Sequence, residues 1–78
     1  PVAAADVRRG QASQLAVEGR FNDALVSLDA ARQVLLDADE LLGASQASLD
    51  LAQLYDWLGD LDRALATVAE VRVRTEHL

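Results

Sequence analysis

The chain has no cysteine, no methionine and no lysine, a single proline, and three aromatic side chains, Phe21, Tyr55 and Trp57. Without cysteine there is no disulfide, no thiol nucleophile and no zinc–thiolate site. The one proline is Pro1, so no helix interior is broken. Sustained period-2 alternation is missing and β-branched residues are few, which removes the usual strand signals. No apolar run approaches the roughly 18 residues that a membrane span needs. The opening Pro-Val-Ala-Ala-Ala-Asp lacks the basic flank and long apolar stretch of a secretory signal. A cytoplasmic location is the resulting expectation. Pro1 fits either removal of an initiator methionine or a fragment boundary.

What is present is small and apolar. Of 78 residues 51% are hydrophobic, with 15 alanines and 14 leucines, so the core is built from small and unbranched side chains. The length is that of one domain. A chain this short buries a modest share of its surface and is marginal alone, which makes packing against a partner the first question. Thirteen acids face seven arginines, for a net charge of −6. Arginine as the only base is the pattern of a GC-rich, bacterial genome. The acidic balance argues against nucleic acid, whose phosphates need cations. It argues equally against an anionic membrane surface. Arg8 with Arg9, and Arg72 with Arg74, form no stripe and read as solvated helix residues. The last two also match the negative end of a helix dipole.

Apolar spacing predicts four helices, over about 3–18, 22–36, 40–58 and 61–76. Ala5, Ala12, Leu15 and Ala16 line the inward side of the first. In the second, Ala24, Leu25, Leu28, Ala31, Val34 and Leu35 recur at three- and four-residue steps. The third carries Leu41, Leu42, Ala44, Ala47, Leu49, Leu51, Ala52, Leu54, Tyr55, Trp57 and Leu58, more than one stripe, and is expected to be the most buried. The fourth has the inward set Leu61, Ala64, Leu65, Val68, Ala69 and Val71. Asn22, Asp39 and Asp60 are the expected N-terminal caps. Glu70–Arg74 and Arg72–Glu76 are expected i,i+4 pairs. Gly19 and Gly59 stand where tight helix–helix turns need them.

Laying Gly19 on Gly59 aligns the chain with itself at a 40-residue offset. Phe21 falls on Leu61, Ala24 on Ala64, Leu25 on Leu65, Leu28 on Val68, Ala12 on Ala52 and Leu15 on Tyr55. A helix–turn–helix unit is therefore repeated, about 3–36 and about 40–76. The stretch Leu51 to Leu65, with Leu51, Ala52, Tyr55, Gly59, Asp60, Leu61 and Ala64, resembles the tetratricopeptide repeat family. Ala12, Leu15, Gly19, Phe21, Ala24, Leu28 and Ala31 make a weaker first copy. Gln11 stands where leucine is expected, and Arg20 replaces the turn aspartate. The period of 40 exceeds the family's usual 34. The alternative is an unrelated four-helix bundle.

The resemblance implies an all-α fold, two antiparallel hairpins stacked in a right-handed helical-repeat unit, and a non-enzymatic scaffold that binds a protein or peptide partner. The family's concave groove maps onto Asp6, Arg9, Ser13, Ala16 and Val17 in the first copy. In the second it maps onto Gln46, Leu49, Gln53, Asp56 and Trp57. The partner-binding set expected here is Arg9, Ser13, Val17, Leu49, Gln53, Asp56 and Trp57. Arg9 is the one base in the groove set and asparagine is absent from it, which departs from the carboxylate-clamping subclass. An exposed Trp57 with Leu49 has the chemistry of an interface anchor. Its plainer reading is packing under a neighbouring helix.

Enzyme chemistry has little to work with. His77, the one histidine, reads as a frayed end. Ser13, Ser27, Ser45 and Ser48 have no histidine or cysteine for a triad. The clustered acids lack the ligand alternation and central glycine of a calcium loop. No cofactor, metal, nucleic-acid or membrane role is expected. A homodimer, or a purely structural self-associating four-helix unit without a peptide ligand, is the alternative function.

Overall fold

The computed structural model describes residues 2–76. Pro1, His77 and Leu78, and with them the readings of Pro1 as a boundary and His77 as a frayed end, lie outside the described residues. Four helices follow one another: α1 (Val2–Val17), α2 (Phe21–Asp37), α3 (Leu41–Trp57) and α4 (Leu61–Thr75). Each expected helix is found, with its ends displaced by one residue at most. The helices pack chiefly in chain order, α1 on α2, α2 on α3 and α3 on α4. The Cα envelope is 35 × 29 × 12 Å. The bundle is thus an open series, with α1 and α4 on its outside.

Three turns of the same build set this spacing. Gly19 and Gly59 both adopt φ 80, and Asp39, halfway between them, adopts φ 61. At each turn, two backbone N–H groups close back on the preceding helix. The Arg20, Glu40 and Asp60 amides all reach the carbonyls of Leu15, Leu35 and Tyr55 at 2.8 Å. The Gly19, Asp39 and Gly59 amides reach Ala16, Leu36 and Asp56 at 3.0 Å. This pair of bonds satisfies the orphan carbonyls of a helix end, and it requires a left-handed residue at its centre.

The expected caps fare differently. Asp60 accepts from the Arg63 amide at 3.2 Å, as its position predicts. Asn22 lies one residue inside α2, whose cap position is Arg20, without a side-chain bond. Asp39 is the left-handed turn residue, so Glu40 takes the cap position of α3, also without a side-chain bond. Asp39 is the one non-glycine at positive φ among the described residues. An L side chain there costs free energy that glycine avoids. Asp39→Gly is expected to stabilise the chain by about 0.5–1 kcal/mol, since the added freedom of the unfolded chain offsets part of the gain. Thermal denaturation should show a midpoint several degrees higher.

Alanines dominate the core. One cluster joins Ala5, Ala31, Leu35, Ala44 and Ala47; a second joins Ala12, Ala24, Leu28, Leu51 and Leu54. Small side chains let α1, α2 and α3 approach closely while leucines fill the remaining space. α3 is the most buried helix, as expected, with seven buried residues. Leu42 of α3 and Leu58, the residue that caps its C-terminus, depart from the expected set and are exposed.

The fourth helix corrects the sequence reading. It has no fully buried residue. Ala64, Thr67, Val71 and Arg74 turn toward α3 and are half-buried, whereas Leu61, Leu65, Val68 and Ala69 are exposed. α3 covers one side of α4, and no element covers the other. The two i,i+4 pairs expected within α4 are not among its ion pairs. Glu70 instead accepts from Arg32 of α2 at 3.2 Å.

Candidate partner-binding surface

Two apolar grooves run along the helices. The first, of about 400 Å³, lies between α1 and α3. Ala12, Ser13, Ala16 and Val17 come from one face of α1, and Asp50, Gln53, Leu54 and Trp57 from one face of α3. Both sets contain the three- and four-residue steps that put side chains on a common helix face, and the α3 set extends them to i+7. Phe21 and Leu28 of α2 close the floor. Trp57 is 59% and Val17 83% exposed, so a large aromatic and a branched aliphatic stand at the rim in water.

The charge in this groove is already paired. Arg9 of α1 donates through Nε and Nη2 to Asp50 Oδ2 of α3, both at 3.0 Å, and through Nη1 to Gln46 Oε1 at 3.2 Å. The pair is part-exposed, so its worth to stability is about 1 kcal/mol at most. Its larger effect is on character. Asp50 is neutralised where it lines the groove, leaving an apolar trough with one amide, Gln53, and one hydroxyl, Ser13. The Ser13 hydroxyl donates to the Arg9 carbonyl at 3.3 Å.

The second groove, of about 530 Å³, lies between α3 and α4. Leu49, Ala52, Gln53 and Asp56 line it on one side, and Leu61, Ala64, Leu65 and Val68 on the other. The seven residues singled out in the sequence therefore divide. Ser13, Val17, Gln53 and Trp57 meet in the first groove; Leu49, Gln53 and Asp56 meet in the second; Arg9 stands beside the first and holds Asp50.

Sequence reasoning missed Phe21 and Leu28 as groove floor, and Leu61, Leu65 and Val68 as an open face. A signal for the latter exists. α4 carries two apolar stripes, 61/65/68 and 64/71, and α3, the helix it packs on, covers only one. Among the described residues no three His, Cys, Asp or Glu side chains converge as a metal site. No helix among them is long and apolar enough to cross a membrane. No family model, curated protein or solved structure matches the chain.

Proposed function

We propose that the chain is a helical-repeat protein-interaction module of tetratricopeptide type. Its α1–α2 and α3–α4 hairpins stack in right-handed order and present the α1/α3 groove to an apolar segment of a partner protein. One observation carries this reading. An apolar trough of about 400 Å³ is rimmed by exposed Trp57 and Val17, and its single carboxylate is held by Arg9. Water gains little from such a trough, whereas an apolar side chain seated in it releases area at about 25 cal/mol per Å². Tryptophan is among the residue types enriched at binding hot spots, where a partner desolvates it. The net charge of −6 favours a segment with basic residues flanking its apolar anchor.

Trp57 is the only tryptophan, so its fluorescence reports the groove directly. Peptides selected against the chain from a displayed random library should shift Trp57 emission on binding. Trp57→Ala should weaken those peptides by about 10- to 100-fold, with the helical circular dichroism signal and thermal midpoint nearly unchanged. Selected peptides that bind the alanine variant equally well would remove the groove assignment.

A further inference from the structure

We propose that the α3/α4 groove is a second docking surface, which takes a helical hairpin from a partner polypeptide. That hairpin presents small residues and leucines along its first helix and an acidic residue opposite Arg72. This surface follows from the 40-residue correspondence within the chain and is independent of the function assigned to the α1/α3 groove.

The protein shows what fits this surface, because an equivalent surface is already filled. Ala12, Ala24 and Leu28 are at most 3% exposed, and their cluster is completed by Leu51 and Leu54 of α3. Forty residues on stand Ala52, Ala64 and Val68. They line the open groove, where Val68 is 38% exposed and Leu65 69%. The same surface is thus largely covered in the first copy, while in the second Ala52 stays buried but Val68 and Leu65 are open, and α3 makes the difference. Stacked helical units bury such faces against the next unit.

An ion pair gives the correspondence a polar check. Arg32 of α2 donates to Glu70 of α4 at 3.2 Å and to Asp29 at 2.6 Å. Its counterpart, Arg72, has no carboxylate partner among the described residues. An occupant built like α3–α4 places an acid where Glu70 meets Arg32.

A second copy of the chain offers no such occupant. The α3 face that fills the first surface is Ala44, Ala47, Ser48, Leu51 and Leu54, all buried. The free face 40 residues earlier is Ala4, Val7, Arg8, Gln11 and Gln14, all exposed. Seating it on the leucines of α4 would strip water from one guanidinium and two amides without partners. The second copy also differs at one contact. Leu49 replaces Arg9, the residue that binds Asp50 of α3. The occupant therefore carries an apolar residue, not an aspartate, at the position of Asp50.

The probe is a peptide of residues 39–78 with Asp50→Leu, fused to a soluble carrier and titrated by calorimetry against the full chain. A saturable one-to-one complex is expected. Leu65→Asp in the full chain should weaken it at least 100-fold and Arg72→Ala about 10-fold, while Trp57→Ala leaves it unchanged. The same hairpin joined directly after Leu78 removes any dependence on its folding alone. In that longer chain the urea midpoint should rise, and Leu65→Asp, near neutral in the single chain, should lower it. The proposal is overturned if the joined hairpin does not raise the midpoint, or if Leu65→Asp is equally neutral in both chains. It is also overturned if light scattering finds the single chain as a dimer that Leu65→Asp dissociates, since the occupant is then a second copy.

Discussion

Leu35→Ala is expected to remove about 3.5–5 kcal/mol of stability, a large part of what this domain has. Leu35 is 1% exposed and packs among Ala5, Ala31, Ala44 and Ala47. Its buried neighbours are alanine methyl groups on three different helices, too short to fill the space a lost isobutyl group leaves, and the longer Val34 and Leu36 only pack against the cluster from its partly exposed edge. Gly43 tightens the seat further. A Cβ there would stand 3.2 Å from Leu35 Cδ2, so the glycine is what lets this side chain lie against α3. Leucine-to-alanine changes in cores cost about 2–5 kcal/mol, and the cost rises with the cavity that remains. A site that cannot collapse belongs in the upper half of that range. The whole domain, at roughly 0.05–0.15 kcal/mol per residue, has about 4–12 kcal/mol to lose. Urea titration followed by circular dichroism should show the midpoint falling by about 3.5–5 M, at roughly 1 kcal/mol per M for a small chain. Val26→Ala on the exposed side of the same helix, at 70% exposure, is the control and should change little. A Leu35→Ala loss near that of the control would mean that this cluster does not hold the helices together.

The parts of this fold that periodicity and glycine punctuation encode were readable without coordinates. α2 repeats Ala24, Leu28, Ala31 and Leu35 at three- and four-residue steps, and each is buried. Gly19 and Gly59 mark two of the three turns because both adopt positive φ. The third turn escaped this reading because Asp39 occupies the left-handed position. Aspartate is also a common N-cap, so composition favoured the wrong assignment for the right segment. Burial on α4 failed for a different reason. Hydrophobic spacing marks faces that can be covered, and it does not say whether a neighbour exists. Leu65 and Leu25 correspond by sequence, yet Leu65 is open and Leu25 half-buried against the core. Long-range polar partners were beyond reach too. Arg9 to Asp50 and Arg32 to Glu70 span 41 and 38 residues, and local pairing rules see only i,i+3 and i,i+4 neighbours.

Ala47→Leu tests from the opposite side whether small residues set the distance between helices. Ala47 is 0% exposed, sits mid-helix on α3, and meets Ala5, Ala31, Leu35 and Ala44. Both residues are good helix formers, so propensity changes by a few tenths of a kcal/mol at most and the effect is steric. Three added carbons have no void to enter. Either the new side chain leaves its preferred rotamers or α3 moves outward from α1 and α2. Overpacking of this kind costs about 1–3 kcal/mol and occasionally more. In a domain of this size that lowers the thermal midpoint by roughly 4–24 °C. Ala66→Leu, at an exposed position of α4, adds the same atoms in water and should leave the midpoint within a few degrees. The movement also has a consequence for binding. Asp50 lies three residues beyond Ala47 and reaches Arg9 of α1 at 3.0 Å. An outward shift of α3 lengthens that pair and widens the trough between Val17 and Trp57. In the folded fraction, groove-selected peptides should therefore lose affinity although no groove residue has been changed. Retained affinity together with a lowered midpoint would instead place the strain on the α4 side of α3 and leave the α1–α3 spacing intact.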